Sequence, residues 1–185
     1  MKLFAREATT WIYNTVLSYV QNKEDAEEII QDTLISALSG LKGFKNEASL
    51  KTWVYSIALN KSKDFLKYKS RKKRSGKIIS INKADRDERA QYFEPSNFIH
   101  PGIELESKEQ MDIIFTAINQ LSENQKTAII LAKFDKIPQK EIADIMGLSL
   151  KALESLLNRA KSNLKEYLEG EGILVLKKKS NKDGK

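Results

Sequence analysis

The stretch "PQKEIADIMGLSLKALESLLNRA", residues 138–160, is the part of the chain that decides its fold. Gly147 at its centre can adopt the positive φ of a tight turn, and Ser149 is a favourable N-cap for a following helix. Ala143 is small where a second helix has to cross closely. Apolar residues recur at helical steps on both sides of the turn, at Ile142, Met146, Leu148, Leu153, Leu156 and Leu157. The pattern therefore predicts a helix-turn-helix.

The second helix of this unit, predicted over Leu150–Leu164, would enter the major groove of duplex DNA. An ordinary helical hairpin is the alternative interpretation. Upstream, Ser122 and Gln125 form a capping box that predicts the start of the preceding helix, which ends before Pro138. The residues predicted to face DNA are Ser149, Lys151, Ala152, Ser155 and Arg159, and we call them the recognition face.

Helical periodicity extends through both outer parts of the chain, with little strand signal between them. Turn residues and helix breakers concentrate instead between Gly76 and Ser107. We therefore predict an all-α protein of two small helical domains, residues 1–75 and 108–170. A flexible linker, residues 76–107, joins them, and residues 171–185 form a basic tail predicted to be disordered.

A second informative stretch, "SLKTWVYSIALNKSKDFLKYKSRKKR", residues 49–74, is apolar on two nearly opposite sides. One side carries Leu50, Val54, Ile57, Phe65 and Tyr68, and the other carries Tyr55, Leu59 and Leu66. What remains is a narrow band, here called the polar stripe, made of Trp53, Ser56, Asn60, Lys63 and Lys67. An aromatic surface, an amide and ammonium groups together can stack on an unpaired base and hold its backbone. The alternative is that Trp53 is core and the lysines only solubilise the helix.

The charge distribution favours a nucleic-acid partner. The chain carries a net charge of +7, and residues 42–74 hold eleven Lys and Arg against two acids, a local +9, so the rest carries −2. A concentrated basic patch is typical of proteins that bind the phosphate backbone, although a solvated basic face is the simpler alternative. The basic cluster Arg71–Arg74 at the end of the second stretch favours the first interpretation.

Composition also argues against several other classes of protein. The chain has no cysteine, which excludes disulfides, thiolate catalysis and Cys-ligated zinc. Its single histidine, His100, precedes a proline, which favours a loop position over a catalytic or metal-ligating one. No apolar run reaches the ~20 residues of a membrane span, and the first residues lack a signal peptide. We expect a cytoplasmic protein with no catalytic residues, no metal site, no cofactor, no small-molecule substrate and no membrane insertion.

Three blocks in this order resemble the extracytoplasmic-function sigma factors, the small promoter-specificity subunits of bacterial RNA polymerase. The first, "NKEDAEEIIQDTLISAL", resembles the segment that docks on core polymerase. Composition alone indicates only an acidic first turn, which is favourable at a helix N-terminus. The resemblance implies that the polymerase contacts are Asp25, Glu28, Gln31 and Asp32, here called the docking face.

The second block, "FKNEASLKTWVYSIALNKSKDFL", resembles the segment that melts and reads the minus-ten promoter element. The resemblance implies that the loop from Lys45 to Leu50 pockets a flipped-out base beside Asn60. The implied contacts to this element are Lys45, Asn46, Ser49, Trp53, Ser56, Asn60, Lys63, Lys67 and Arg71. The helix-turn-helix block resembles the domain that reads the minus-thirty-five element as duplex DNA. The implied partners are core polymerase, promoter DNA and an anti-sigma factor, which these residues do not identify.

This sequence departs from the family pattern in two regions that matter for DNA. Most relatives carry Lys or Arg, then Ser, then Arg in the middle of the recognition helix, whereas this chain has Glu154, Ser155 and Leu156. Leu50 also replaces a usual Phe at the base pocket. The first departure concerns recognition of the minus-thirty-five element, and the second concerns the base pocket of the minus-ten element.

Two other classes of function compete with this interpretation. A free-standing helix-turn-helix regulator that binds operators as a dimer would explain the second domain but leaves the first unexplained. A DNA-processing enzyme could use Asp25, Glu28 and Asp32 as a metal site, since these carboxylates share a helix face. No base or nucleophile accompanies them in the sequence, which disfavours the enzyme.

Overall fold

The computed structural model describes residues 2–45, 48–75 and 108–170, and within these ranges every regular element is a helix. In chain order the elements are α1 (Lys2–Val20), α2 (Lys23–Gly40), a 3-10 turn (Leu41–Gly43), α3 (Leu50–Ser75), α4 (Lys108–Asn119), α5 (Glu123–Ile129), a π-helical turn (Ile130–Phe134), α6 (Gln139–Met146) and α7 (Leu150–Gly170). The prediction of an all-α protein is confirmed. The predicted linker, the predicted tail and Asn46 lie outside the described residues.

The N-terminal unit consists of α1, α2 and α3, each of which packs against the other two. Ile12 and Val16 of α1, Ile29 of α2 and Val54 of α3 are buried at their contacts. Removing each such side chain from water contributes roughly 1.5–3 kcal/mol before the entropy of folding is counted. The start of α2 is fixed by Asn22, whose side-chain oxygen accepts from the Asp25 amide at 2.8 Å.

The C-terminal unit is built around α7, which packs against α4, α5 and α6. Ile142 and Leu153 are fully buried where α6 meets α7, and Ala143 is buried beside them. The predicted capping box at the start of α5 is confirmed, because the Gln125 side chain accepts from the Ser122 amide at 3.2 Å. No helix among the described residues is long and apolar enough to cross a membrane.

After α5 the helix widens into the π-helical turn, a feature that apolar periodicity did not predict. The Asp135 amide donates to the Ile130 carbonyl at 3.3 Å, and the Ile137 amide donates to the Leu131 carbonyl at 3.0 Å. Lys136 takes a positive φ of 52°, which is uncommon for a residue with a side chain. The wider turn presents Asp135 to α1, where it accepts a hydrogen bond from Thr15.

The two units pack directly on each other, an arrangement that the sequence left open. α1 contacts the π-helical turn, and α3 contacts α6. The buried apolar residues of both units form one continuous cluster. Consequently, part of the surface of α1 and part of the surface of α3 pack against the C-terminal unit rather than facing solvent.

Candidate polymerase and nucleic-acid interfaces

The docking face lies on α2, opposite the side that packs on the core. Glu28, Gln31 and Asp32 are exposed. Asp25 is only 19% exposed and forms an ion pair with Lys69 of α3. The structure therefore brings three of the four predicted residues to the surface, while Asp25 links two helices.

Ile35 is a further member of this surface that the predicted contacts did not include. It lies one helical turn beyond Asp32 and is 63% exposed, although it is a large apolar side chain. The sequence did carry a signal, because Ile35 falls outside the apolar repeat that Ile29, Ile30, Thr33 and Ala37 follow into the core.

A groove of about 490 Å³ separates α2 from the second half of α3. Its walls include Glu28 and Asp32 on one side and Lys61 and Phe65 on the other. Tyr68, which the sequence placed on the same apolar side as Phe65, also lines the groove but is 56% exposed.

The carboxylates of α2 do not gather around one point. Asp25 faces Lys69, and Asp32 lies 4.0 Å from the Lys61 ammonium. Among residues 2–45, 48–75 and 108–170, no group of three or more acidic or histidine side chains is arranged to hold a metal ion. The geometry at these side chains is that of helix-to-helix ion pairs.

Trp53, the aromatic member of the polar stripe, is half-buried against the end of α2. Its ring lies 5.1 Å from that of Phe44, centroid to centroid, at an interplanar angle of 34°. A Cβ atom added at Gly40 would lie 3.1 Å from the Trp53 ring, so only glycine gives the indole its full space. One side of this ring is therefore held in place by the 3-10 turn and its neighbours.

Three other residues of the polar stripe contact the C-terminal unit, which the sequence did not predict. The Lys63 ammonium lies 3.3 Å from the carboxylate of Glu123 on α5, and that of Lys67 lies 3.8 Å from it. The Ser56 hydroxyl donates to the Ile145 carbonyl of α6 at 3.3 Å. Asn60 remains exposed in the middle of the stripe.

Of the other residues predicted to contact the minus-ten element, Lys45 and Arg71 are exposed. Ser49 has a structural role, because its hydroxyl oxygen accepts from the Thr52 amide at 3.0 Å and so caps α3. Lys51, which was not among the predicted contacts, lies 3.8 Å from the carboxylate of Glu141 on α6.

The recognition face has the predicted helix-turn-helix geometry. Gly147 takes a φ of +63°, and the Leu148 amide donates to the Ala143 carbonyl at 2.9 Å. The Ser149 hydroxyl accepts from the Ala152 amide at 3.2 Å, which confirms it as a cap. All five predicted residues of the face are exposed along α7, namely Ser149, Lys151, Ala152, Ser155 and Arg159. The helix continues to Gly170, beyond the predicted end at Leu164.

A buried polar network joins α1 to the C-terminal unit. The Lys126 ammonium donates to the Tyr19 carbonyl at 3.2 Å and to the Asn119 side chain at 2.8 Å. The side chains of Asn119 and Gln21 exchange two hydrogen bonds, at 3.0 and 3.2 Å, and the hydroxyl of Tyr19 contacts that of Thr127. Burial lowers the pKa of Lys126 to about 7, because the charged form loses its hydration.

Asp135 forms a further polar contact between the units. Burial raises its pKa to about 6, while the hydrogen bond from Thr15 and the charge of Lys51 oppose that shift. Neither Lys126 nor Asp135 was a predicted site residue. Their partners lie 107 and 120 positions away in the sequence, so no local pattern could indicate the contacts.

Two parts of the chain match known domain families. Residues 4–72 match Sigma-70 region 2, and residues 111–164 match Sigma-70, region 4. The first match covers nearly all of α1 to α3, and the second runs from within α4 to within α7.

Relatives over most of the chain length have related names. RNA polymerase sigma factor YlaC of Bacillus subtilis is 27% identical over 164 residues, which cover 84% of this chain and 87% of the relative. The ECF RNA polymerase sigma-E factor of Haemophilus influenzae is 26% identical over 168 residues, covering 85% and 87%. In a solved structure, the sigma factor RpoE in complex with the anti-sigma factor NepR from Bartonella quintana, the sigma fold is similar. The TM-score is 0.61 at 23% identity, covering 91% of this chain and 98% of that one.

Proposed function

The chain belongs to the extracytoplasmic-function family of RNA polymerase sigma factors, and from this premise we propose which of its surfaces meet polymerase and promoter DNA. The protein is an alternative sigma factor that binds core RNA polymerase and directs initiation at particular promoters. The observation that carries this conclusion is the presence of both sigma regions, in order, in one chain. A free-standing helix-turn-helix regulator is not favoured, because it would leave α1 to α3 without a function.

The assignment divides the chain by function. Residues 1–75 bind polymerase and read the minus-ten element, residues 76–107 link the two domains, and residues 108–170 read the minus-thirty-five element. Residues 171–185 form a basic tail. The two family matches support the first and third assignments, because they fall inside these ranges.

The docking face is the proposed polymerase contact. Glu28, Gln31 and Asp32 are exposed on one side of α2, and Ile35 adds apolar area beside them. An apolar side chain surrounded by charges suits a protein partner, because burial supplies affinity and the charges supply orientation. Asp25, which is paired with Lys69, orients α2 rather than contributing most of the affinity.

The polar stripe, together with Lys45, Asn46, Ser49 and Arg71, is the proposed contact to melted minus-ten DNA. Flipping a base out of the stack costs a few kcal/mol, which stacking and hydrogen bonds in a pocket can offset. The rigid packing of Trp53 on Gly40 supports this role, because a pre-positioned aromatic ring loses little entropy on binding. Asn60 supplies an exposed amide for base edges.

The recognition face is the proposed contact to duplex minus-thirty-five DNA. Lys151 and Arg159 are its exposed cations, while Glu154 lies exposed between them. A carboxylate in this position repels phosphate and accepts hydrogen bonds from cytosine amino groups. We therefore propose that upstream-element preference in this protein differs from that of relatives with a cation at the position.

The proposal has three further parts. The chain carries no catalytic residue, since polymerase supplies the chemistry and this protein supplies promoter choice, without a cofactor, a metal or a small-molecule substrate. It acts in the cytoplasm, where polymerase meets the chromosome. An anti-sigma factor is a candidate partner, as for the RpoE structure.

Transcription in vitro tests the function directly. Core bacterial polymerase, the purified chain and a pool of genomic promoter fragments should give transcripts from a defined set of start sites.

Asp32→Lys should weaken co-purification with core polymerase by about tenfold, because it reverses an exposed charge at the contact. Glu7→Lys, the same charge change at an exposed position of α1, is the matched control. Retained specific duplex binding without any effect on polymerase would favour the free-standing regulator instead.

A further inference from the structure

Asn158 lies on the exposed side of α7 and was not among the predicted contacts to DNA. The buried side of this helix carries Leu153, Leu157 and Ala160, which pack against the rest of the C-terminal unit. At about 100° of rotation per residue, Asn158 lies roughly 130° from the middle of that buried side. Arg159 lies at a similar angle on the other flank. Asn158 is therefore turned toward a bound duplex as fully as a predicted recognition residue is.

The side-chain amide of Asn158 is not engaged by the protein. Within residues 2–45, 48–75 and 108–170, no group forms a hydrogen bond with it. Asn163, the other asparagine of α7, differs in this respect. Its amide nitrogen donates to the Gln125 side chain of α5 at 3.3 Å. Both hydrogen-bonding atoms of the Asn158 amide are thus available to a ligand, whereas Asn163 is held by its own domain.

The neighbours of Asn158 on this side of α7 have short side chains. Ser155 lies one turn before it and Ser162 one turn after it, and both are exposed. Ala152, one turn before Ser155, is exposed as well. A helix with short side chains on one side can lie deep in the major groove, which is about 12 Å wide. The short amide side chain of Asn158 then reaches the edges of the bases.

The exposed side chains of α7 between Lys151 and Arg159 are uncharged or acidic, namely Ala152, Glu154, Ser155 and Asn158. Asn158 is the only one of these four that carries a donor and an acceptor on different atoms. It alone among them can bond two neighbouring atoms of one base, one as donor and the other as acceptor. Phosphate attraction contributes no base preference, so discrimination in this part of the helix depends on such contacts.

The chemistry of a carboxamide matches one base in the major groove better than the others. Its oxygen accepts from the N6 amino group of adenine, and its nitrogen donates to the N7 atom of the same base. Guanine presents two acceptors there, and cytosine and thymine present one polar group each. An asparagine can therefore form both hydrogen bonds only with adenine.

We propose that Asn158 is a specificity-determining residue of α7, which selects an adenine in the minus-thirty-five element through these two hydrogen bonds. The inference rests on the proposed function, because it takes α7 as the helix that reads this element. Asn158 extends the recognition face from Ser155 toward Ser162.

A promoter library tests the assignment. One promoter from the genomic pool is randomised only in its minus-thirty-five element, transcribed by core polymerase with the full chain, and the transcribed templates are sequenced. With wild type, adenine should be enriched about tenfold over other bases at one position or more, the scale of one bidentate contact. Asn158→Ala should abolish the enrichment at one such position and keep the others. Alanine favours a helix, so the fold is retained.

Asn163→Ala is the matched control for this selection. It removes the same side chain from an exposed position of the same helix, where the amide bonds to Gln125 rather than facing the duplex. This variant should enrich the same element as wild type.

An altered base tests which atoms make the contact. 7-Deazaadenine has a carbon in place of N7, so it lacks the acceptor for the amide nitrogen while its pairing with thymine is unchanged. Placed at the affected position, it should lower the affinity of the wild-type holoenzyme for the promoter about fivefold in band-shift assays, the scale of one hydrogen bond. It should leave the affinity of the Asn158→Ala holoenzyme unchanged.

The outcomes separate this inference from the proposed function. The same enriched element with wild type and Asn158→Ala would overturn the assignment, as would an equal change with Asn163→Ala. Equal effects of 7-deazaadenine on wild type and Asn158→Ala would also overturn it, because another residue or the shape of the duplex would then read the adenine. Absence of promoter-specific transcripts from wild type would instead overturn the proposed function.

Discussion

The polar stripe on α3 and the recognition face on α7 are both assigned to DNA, yet they differ in how they are made. The recognition face depends on a turn within its own motif, at Gly147 and Ser149. The stripe is held from a distance, since Ser56 contacts a residue 89 positions away. A local motif can therefore present a surface by itself, whereas the accessibility of the stripe is a property of the whole chain.

Each surface also depends on a glycine, for different physical reasons. Gly147 supplies a backbone conformation, with a φ of +63° and no atom near its missing Cβ. Gly40 has an ordinary φ of −82° and supplies space beside the Trp53 ring. Substituting these two positions should damage the two surfaces separately.

Gly147→Val should have the largest effect. A β-branched residue is strongly disfavoured in the left-handed region, so we expect a loss of roughly 3 kcal/mol in the free energy of unfolding. The affinity of α7 for duplex DNA should fall as well. Urea denaturation measures the free energy of unfolding, and band-shift assays measure the affinity for duplex DNA. Gly43→Val is the control, because this glycine is exposed, has open space around it and does not have a positive φ. Equal losses in the two variants would contradict the role of φ.

The pH dependence of the interface should be next in size. Lys126 faces Tyr19 of α1, and Asp135 faces Thr15 of α1 together with Lys51 and Tyr55 of α3. The pKa of Lys126 is lowered to about 7, so the folded chain binds fewer protons than the unfolded chain from there up to the ordinary lysine value. Its contribution to stability therefore rises with pH above about 7.

Asp135 changes the stability of the fold at lower pH than Lys126 does. Its pKa is raised to about 6, so the folded chain binds more protons than the unfolded chain between the ordinary value of 3.8 and 6. Its contribution falls as the pH rises through that window. Together the two groups predict that the free energy of unfolding is lowest between pH 6 and 7, and that Lys126 raises it by about 2 kcal/mol by pH 9. Thermal melting at a series of pH values measures this change. Lys126→Met should remove the rise above pH 7.

Gly40→Val should perturb the polar stripe with a smaller effect. The added atoms would press on the Trp53 ring, and overpacking of this kind costs about 1–2 kcal/mol. Trp53 should also move, so open-complex formation should decline more than polymerase binding. Gly43→Val again serves as the control, since a Cβ there meets nothing. Unchanged open-complex formation would imply that the indole position is unimportant for DNA.

Arg159→Ala should have the smallest effect of the four changes predicted here, and it should leave the fold intact. If the guanidinium reaches bases, affinity for a duplex carrying the selected minus-thirty-five element should fall by about 1 kcal/mol. Lys161→Ala removes an equally exposed cation from another side of α7. Similar small losses in both would indicate a general charge effect rather than a base contact.

The parts of this molecule that sequence could predict are those written into neighbouring residues. The turn at Gly147, the Ser149 cap and the capping box at Ser122 were all expected from spacing and side-chain chemistry. The exposure of the recognition face follows from them. Of the docking face, three of four residues are exposed as expected, because helical periodicity separates the two sides of α2.

The parts that sequence could not predict depend on distant contacts. Lysine is rarely buried, so nothing in the sequence around Lys126 indicated its place in the interface. The packing of Trp53 depends on Gly40, and no local sequence pattern shows that a glycine there leaves space for an indole ring. Tyr68 is 56% exposed although it lies on an apolar side of α3, because periodicity gives the direction of a side chain but not its depth of burial.

The polar stripe and Glu123, which pairs with two of its lysines, are far apart in the sequence, and this has a consequence during protein synthesis. The stripe is complete once α3 has been made, whereas Glu123 is added 48 positions after Ser75. At about 5–20 residues per second, a ribosome takes roughly 2–10 s to make that interval. Each newly made chain therefore passes through a period in which α1 to α3 can fold while the C-terminal unit is still being translated.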